Sequence, residues 1–171
     1  FGKGDGGAIL EGFGLNAIMT FNSGHSFTRV SEPGNLGQAT PWNIGVRATQ
    51  DPRQRFPAEV LNTSLTPSVF NVDMAIDKRL YFDKYNVRFF ANILNLFNSK
   101  NILNVYQTTG TDDDDGWLKS PLAGNFIATP GYLDFYQAVN LDNRWHYLGA
   151  TGNDLWSQPR SIRFGINLEF K

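Results

Sequence analysis

The densest grouping of chemically capable side chains in this sequence is Asp112-Asp113-Asp114-Asp115-Gly116-Trp117. Adjacent carboxylates on a flexible loop offer the hard oxygen ligands that Ca²⁺ takes. The run lacks the alternating D-x-[DN]-x-[DN]-G spacing of a calcium loop. Asp112, Asp113, Asp114 and Asp115 therefore read first as a solvated acidic loop, with calcium as the alternative and no other metal expected. His25 has no second ligand at a useful spacing and reads as a polar loop residue. Serine, histidine and aspartate are present, but there is no Gly-x-Ser-x-Gly elbow, no paired histidines and no phosphate-cradling glycine loop. The expectation is a chain that is not an enzyme and carries no cofactor. Trp117, Trp145 and Trp156 lie in irregular polar sequence, where they are candidates for stacking on sugars or peptides. Packing of the loops on one another explains them equally well.

The elements that would position these residues follow from composition and period. The chain has 171 residues, a net charge of −1 and no cysteine, so a polyanion-binding surface is not indicated and disulfides are excluded. No nucleic-acid partner is expected. Seventeen glycines, 8 prolines and an aromatic set of 14 Phe, 6 Tyr and 4 Trp favour strands and loops over helices. No apolar run reaches the length of a membrane helix. The opening Phe1-Gly2-Lys3-Gly4-Asp5-Gly6-Gly7 reads as the end of one strand and a turn, without a basic-then-apolar leader.

Four stretches alternate with period two. In residues 160–170, Ile162, Phe164, Ile166, Leu168 and Phe170 face one way, and Arg163, Gly165, Asn167 and Glu169 the other. Residues 9–22 place Phe13, Leu15, Ala17, Met19 and Phe21 on the apolar face, with Ile18 out of phase. Residues 68–82 place Phe70, Val72, Met74, Ile76 and Leu80 there, with Lys78 as the interruption, and Asn71, Asp73, Asp77 and Arg79 opposite. Residues 86–98 contribute Val87, Phe89, Ala91 and Ile93, against Arg88 and Asn92. A hairpin turning at Asp83-Lys84 gives the two polar faces the same parity and sets Arg88 opposite Asp77 or Arg79, with charge pairing favouring Asp77. Residues 23–67 and 99–158 are aperiodic and read as long surface loops. Within the second, a helix is expected from 130 to about 141, capped by Thr129, with Pro130 in its first position and Tyr132, Phe135, Tyr136 and Val139 on one face.

Long loop, short turn and long loop, with the chain ending on the short-turn side, match the layout of a bacterial outer-membrane β-barrel. The expected fold class is all-β: C-terminal antiparallel strands of a large transmembrane β-barrel, with long extracellular loops and a short loop helix. Phe13, Leu15, Met19, Phe70, Val72, Met74, Ile76, Val87, Phe89, Ile93, Ile162, Phe164, Ile166 and Leu168 would face lipid. Asn71, Asp73, Asp77, Arg79, Arg88, Asn92, Arg163, Asn167 and Glu169 would face the lumen.

Several short motifs, in their order, resemble the TonB-dependent outer-membrane receptors, particularly the large-substrate branch with a carboxypeptidase-regulatory-like N-terminal domain. They are Phe1-Gly2-Lys3-Gly4 before a turn, Ser23-Gly24 after the first strand, and Asn95-Leu96-Phe97-Asn98 at the top of the third. To these add residues 109–117 with their acidic Asp-Gly motif, and Pro159-Arg160 opening the last strand. The resemblance implies a barrel of about 22 strands around a globular plug, energy-coupled import through TonB, and a terminal aromatic, Phe170, serving as a barrel-insertion signal. Lys171 after it departs from the strict form of that signal. It further implies outer-membrane lipid as surroundings, the rest of the wall and the plug as partners, and a surface lipoprotein as a further one. The C-terminus would be periplasmic. Four strands cannot enclose a lumen, so these residues are expected to be the tail of a longer polypeptide or one subunit of an assembly. The alternative is a secreted β-sandwich that binds glycans through its tryptophan-bearing loops.

Overall fold

The computed structural model describes every residue except Asp5 and Gln38, and the side chains of all but Ala8, Ala48, Thr49, Gln50 and Pro52 among the rest. It divides into two compact units. A sheet unit comprises Phe1–Asn22, Val69–Asn101 and Gln158–Lys171, and a loop unit comprises Ser23–Ser68 and Ile102–Ser157.

The sheet unit opens with a one-turn helix, α1 (Gly7–Leu10), followed by strand β1 (Phe13–Asn22). In the loop unit, short strand β2 (Ser26–Phe27), helix α2 (Ile44–Gln50) and short strand β3 (Ser64–Leu65) come next. Strands β4 (Val69–Tyr81) and β5 (Tyr85–Leu94) return to the sheet unit. Helices α3 (Gly124–Ile127), α4 (Tyr132–Tyr136) and α5 (Trp145–Thr151) belong to the loop unit, and β6 (Ser161–Phe170) closes the chain.

Strands β1, β4, β5 and β6 form one antiparallel sheet in that spatial order, and β2 pairs with β3 in a separate two-residue ladder. Across the sheet, Leu15 stands beside Ile76, Ile76 beside Ala91, and Ala91 beside Phe164. The apolar positions of all four strands therefore share one face, because period two and this register agree. The Phe90 ring reaches over Gly165, where a β-carbon would meet it at 2.2 Å. The glycine in the last strand thus makes room for an aromatic on its neighbour.

The expected fold class is corrected here. The chain is 23% helical and 31% strand, so it is mixed α/β rather than all-β, and its four-stranded sheet does not close into a barrel. Nor do the described residues supply the second sheet of a sandwich, since the other ladder is only two residues long. Residues 9–12 are not strand: Ile9 and Leu10 sit in α1. The third strand ends at Leu94, where Asn95 and Asn98 turn the backbone with φ of 53° and 52°. The expected helix is also shorter than 130–141 and differently capped. Gly131, at φ 78°, is the N-cap of α4, and the wide turn Gln137–Asp142 continues it as a π-helix. Its inward face is Tyr132, Tyr136 and Asn140, while Phe135 is exposed. Short helices offer too few turns for a 3.6 period to show in the sequence.

The buried core lies in the loop unit. One cluster joins Ile44, Trp117, Ala123, Tyr132, Tyr136 and Leu141; a second joins Val46, Tyr106, Tyr147 and Leu155. The sheet's apolar face supplies neither cluster. No helix among the described residues is long and apolar enough to cross a membrane.

Candidate functional site

The sheet unit presents two chemically opposite faces. On the apolar face Leu15, Met19, Phe70, Phe89, Ile162, Phe164, Ile166 and Leu168 are exposed, Phe164 to 80%. Phe13, Met74, Ile76, Val87 and Ile93 are half-buried. Val72 departs from the expectation: it is only 7% exposed. The Asn95–Asn98 turn folds back at that end, with Leu96 N–H donating to the Val72 carbonyl at 2.7 Å and Phe97 stacking on Phe70. Lys78 interrupts this face, yet its ammonium donates to the carbonyls of Ile9 and Glu11 at 2.8 and 2.6 Å. Its charge is thereby turned onto the carbonyl end of α1.

Aromatics gather at the two ends of the face. At the hairpin end, Phe82 stacks on Tyr85 with ring centroids 4.8 Å apart, and Tyr85 stands opposite Phe170. At the far end Phe21 stands opposite Phe70, whose ring stacks with that of Phe97. Aliphatic side chains predominate between these ends.

The opposite face carries the polar set. Asp73 accepts from Asn71 Nδ2 and from Asn95 N–H, both at 2.8 Å. Asp77 receives Arg88 Nη2 at 2.8 Å. The register nevertheless puts Arg79, not Asp77, directly opposite Arg88, so the ion pair runs diagonally. Asn92 stands beside Arg163, Arg88 beside Asn167, and Asn86 beside Glu169. Asn16, Asp73, Asn92 and Arg163 border a shallow concavity of about 300 Å³ on this face. The sheet therefore brings the nine residues expected on the polar side onto one surface, where backbone and side-chain dipoles can hydrogen-bond to water or to a polar partner.

The loop unit redistributes the residues singled out for binding. Trp117 is 1% exposed: it is a core side chain, its indole N–H donating to Tyr132 Oη at 2.7 Å, and it has no surface to offer a ligand. Trp156 is partly buried, with the Arg144 guanidinium 3.4 Å above its ring and its own N–H donating to Asp112 at 2.6 Å. Trp145 alone of the three is open, at 69%. His25 bonds Thr66 through its backbone N–H, at the edge of a small polar cavity shared with Tyr106 and Tyr147.

Three of the four acidic residues are spent on structure, and Asp113 is exposed. Asp112 receives Trp156; Asp114 receives Gly116 N–H and the Lys119 ammonium; Asp115 points into the core. Among the described residues no three acidic or imidazole side chains converge as metal ligands.

What the sequence did not reveal is how Asp115 is held. Its carboxyl accepts from Tyr136 Oη–H at 2.6 Å and from Trp117 N–H at 3.0 Å, and Tyr136 Oη accepts in turn from Gly45 N–H. Burial pushes its pKa up to about 6, opposed by these two donors. Burial first, then the nearby Asp115 charge, raises Tyr136 as well. A β-carbon on Gly45 would stand 1.9 Å from the Asp115 carboxylate, so only glycine fits there. Arg144 was equally hidden: its guanidinium grips Asp154 with two hydrogen bonds, at 2.6 and 3.1 Å, and holds that carboxyl below its ordinary pKa.

Compared with protein-family models, curated proteins and solved structures, the chain matches none.

Proposed function

We propose that this chain is part of the wall of a TonB-dependent outer-membrane transporter that imports a large or scarce nutrient, such as an oligosaccharide, a peptide or a chelate. The observation that carries the reading is the uncovered apolar face of the sheet. Large hydrophobes repeat along four strands with no layer of the sheet unit's described residues packed over them. A contiguous exposed apolar surface of this kind marks contact with lipid or with a protein partner.

Three features favour lipid. Strands β1, β5 and β6 are each 10 residues long, the length that spans a bilayer when tilted. Aromatic side chains collect at both ends of the face, as at the two interfaces of a membrane. The other face carries the charged and amide side chains, interrupted by Ile18 and Phe90, and a water-filled or plugged passage requires such a predominantly polar lining. Unpaired backbone groups in hydrocarbon cost several kcal/mol each. The outer edges of β1 and β6 would therefore pair with further strands of the wall, from the same polypeptide or another chain. In this orientation the β4–β5 turn and Phe170 lie on the periplasmic side, and the loop unit outside the cell. Exposed Trp145 is then the remaining stacking candidate for the nutrient. TonB and a surface lipoprotein would engage the transporter elsewhere.

The test is fractionation and extraction of the protein from a Gram-negative host. Recovery in the outer membrane, resistance to a urea wash and release only by detergent is the expected result. A chain that stays monomeric and folded in detergent-free buffer overturns the proposal.

A further inference from the structure

Arg79 and Arg88 stand directly opposite each other across β4 and β5, on the polar face of the sheet. Like charges in that relation repel. The sheet does little to relieve it. Arg88 reaches diagonally to Asp77 with Nη2 alone, while its Nε is buried and has no hydrogen-bond acceptor among the described residues. Arg79 has no carboxylate within ion-pair distance among them. Asn167 is the neutral neighbour of Arg88 on β6. Glu169, one row further along that face, faces Asn86, whose Nδ2 lies 3.5 Å from its carboxylate. The Arg88 guanidinium also sits 5.9 Å from the Phe90 ring centroid.

We propose that Arg79 and Arg88 together form a binding site for a small oxyanion, a carboxylate or a phosphate group. The guanidinium fork matches two oxygens of such a group and always carries its charge. An oxyanion between the two side chains accepts from the guanidinium N–H groups that Asp77 does not engage and cancels the repulsion across the strand pair. Chloride, a single spherical acceptor, cannot bridge a fork in the same way. The site depends only on the register of β4 and β5, and it stands whether or not the sheet lies in a membrane.

The experiment uses the whole chain, folded in neutral micelles, with ¹⁵N observation of the arginine Nε–H groups. Inorganic phosphate and acetate are titrated separately against sodium chloride at matched ionic strength. Expected is a saturable shift of the Arg79 and Arg88 signals with phosphate or acetate and none with chloride, the tighter anion naming the class. Arg79→Gln should weaken that binding about tenfold or more. Arg79→Lys, which keeps the charge and loses the fork, should fall between. Lys84→Gln removes the same charge from the exposed turn and should leave binding unchanged. Circular dichroism confirms that each variant keeps its sheet. Identical responses to all three anions overturn the site, as does equal weakening by Arg79→Gln and Lys84→Gln, which would mean diffuse attraction alone.

Discussion

Replacing Asp115 with asparagine should change how the loop unit responds to pH. The wild-type carboxyl is 2% exposed, and burial outweighs its two donors. Its pKa is therefore raised from 3.8 to about 6 in the folded protein. The folded state holds this proton more tightly than the unfolded chain does. The stability it contributes is fully present below about pH 4 and is lost as pH rises through about 6. At about 1.4 kcal/mol per unit, the loss by pH 8 is on the order of 3 kcal/mol. Asp154 works in the opposite sense: Arg144 lowers its pKa, so its contribution is present above the ordinary carboxylate range and is lost in acid. The informative quantity is thus the difference between wild type and Asp115→Asn. Asparagine keeps an acceptor for Trp117 N–H but cannot ionise. Denaturant unfolding, followed by the fluorescence of buried Trp117 at pH 4.5 and pH 7.5, measures it. The wild type should lose on the order of 2 kcal/mol relative to the variant between those two pH values. Equal slopes in the two proteins would refute a buried, titrating Asp115.

Other substitutions probe the packing around these sites. Gly45→Ala should destabilise the loop unit by about 3 kcal/mol through collision with Asp115, and less so in an Asp115→Ala background; equal costs in both backgrounds, measured by unfolding, would contradict the contact. Arg144→Lys gives up the two-pronged grip on Asp154 and the stacking on Trp156, with an expected cost of about 2 kcal/mol and a shift in Trp156 emission. Gly165→Ala should cost about 1–2 kcal/mol by displacing the Phe90 ring, and Phe90→Ala should remove that cost in a double-mutant cycle.

The sheet was legible in the sequence because its signal is strictly local. Alternation from Ile162 to Phe170 declares a strand and its two faces, and agreement of four such patterns declares a common surface. Register was only half legible, since charge pairing pointed to Asp77 opposite Arg88, whereas the hairpin sets Arg79 there and leaves the ion pair diagonal. The aperiodic segments hid a packed, partly helical unit, because helices of 4 to 7 residues are too short to show a period. Asp115 could not be told from its three acidic neighbours by type or spacing. What separates it is a tertiary contact with Gly45 and Tyr136, remote in sequence. Trp117 and Trp145 likewise look alike in the sequence and differ wholly in exposure.

Because the chain contains no cysteine, single cysteines can be placed along β6 without removing native ones. Spin labels at positions 162 to 168, one at a time, in bilayers, report access to dissolved oxygen, which favours lipid, against a water-soluble nickel chelate. Oxygen access should peak at 162, 164, 166 and 168, with nickel access highest at 163, 165 and 167. Uniform nickel access along the strand, or no insertion into the bilayer, would contradict the assignment of the apolar face to lipid.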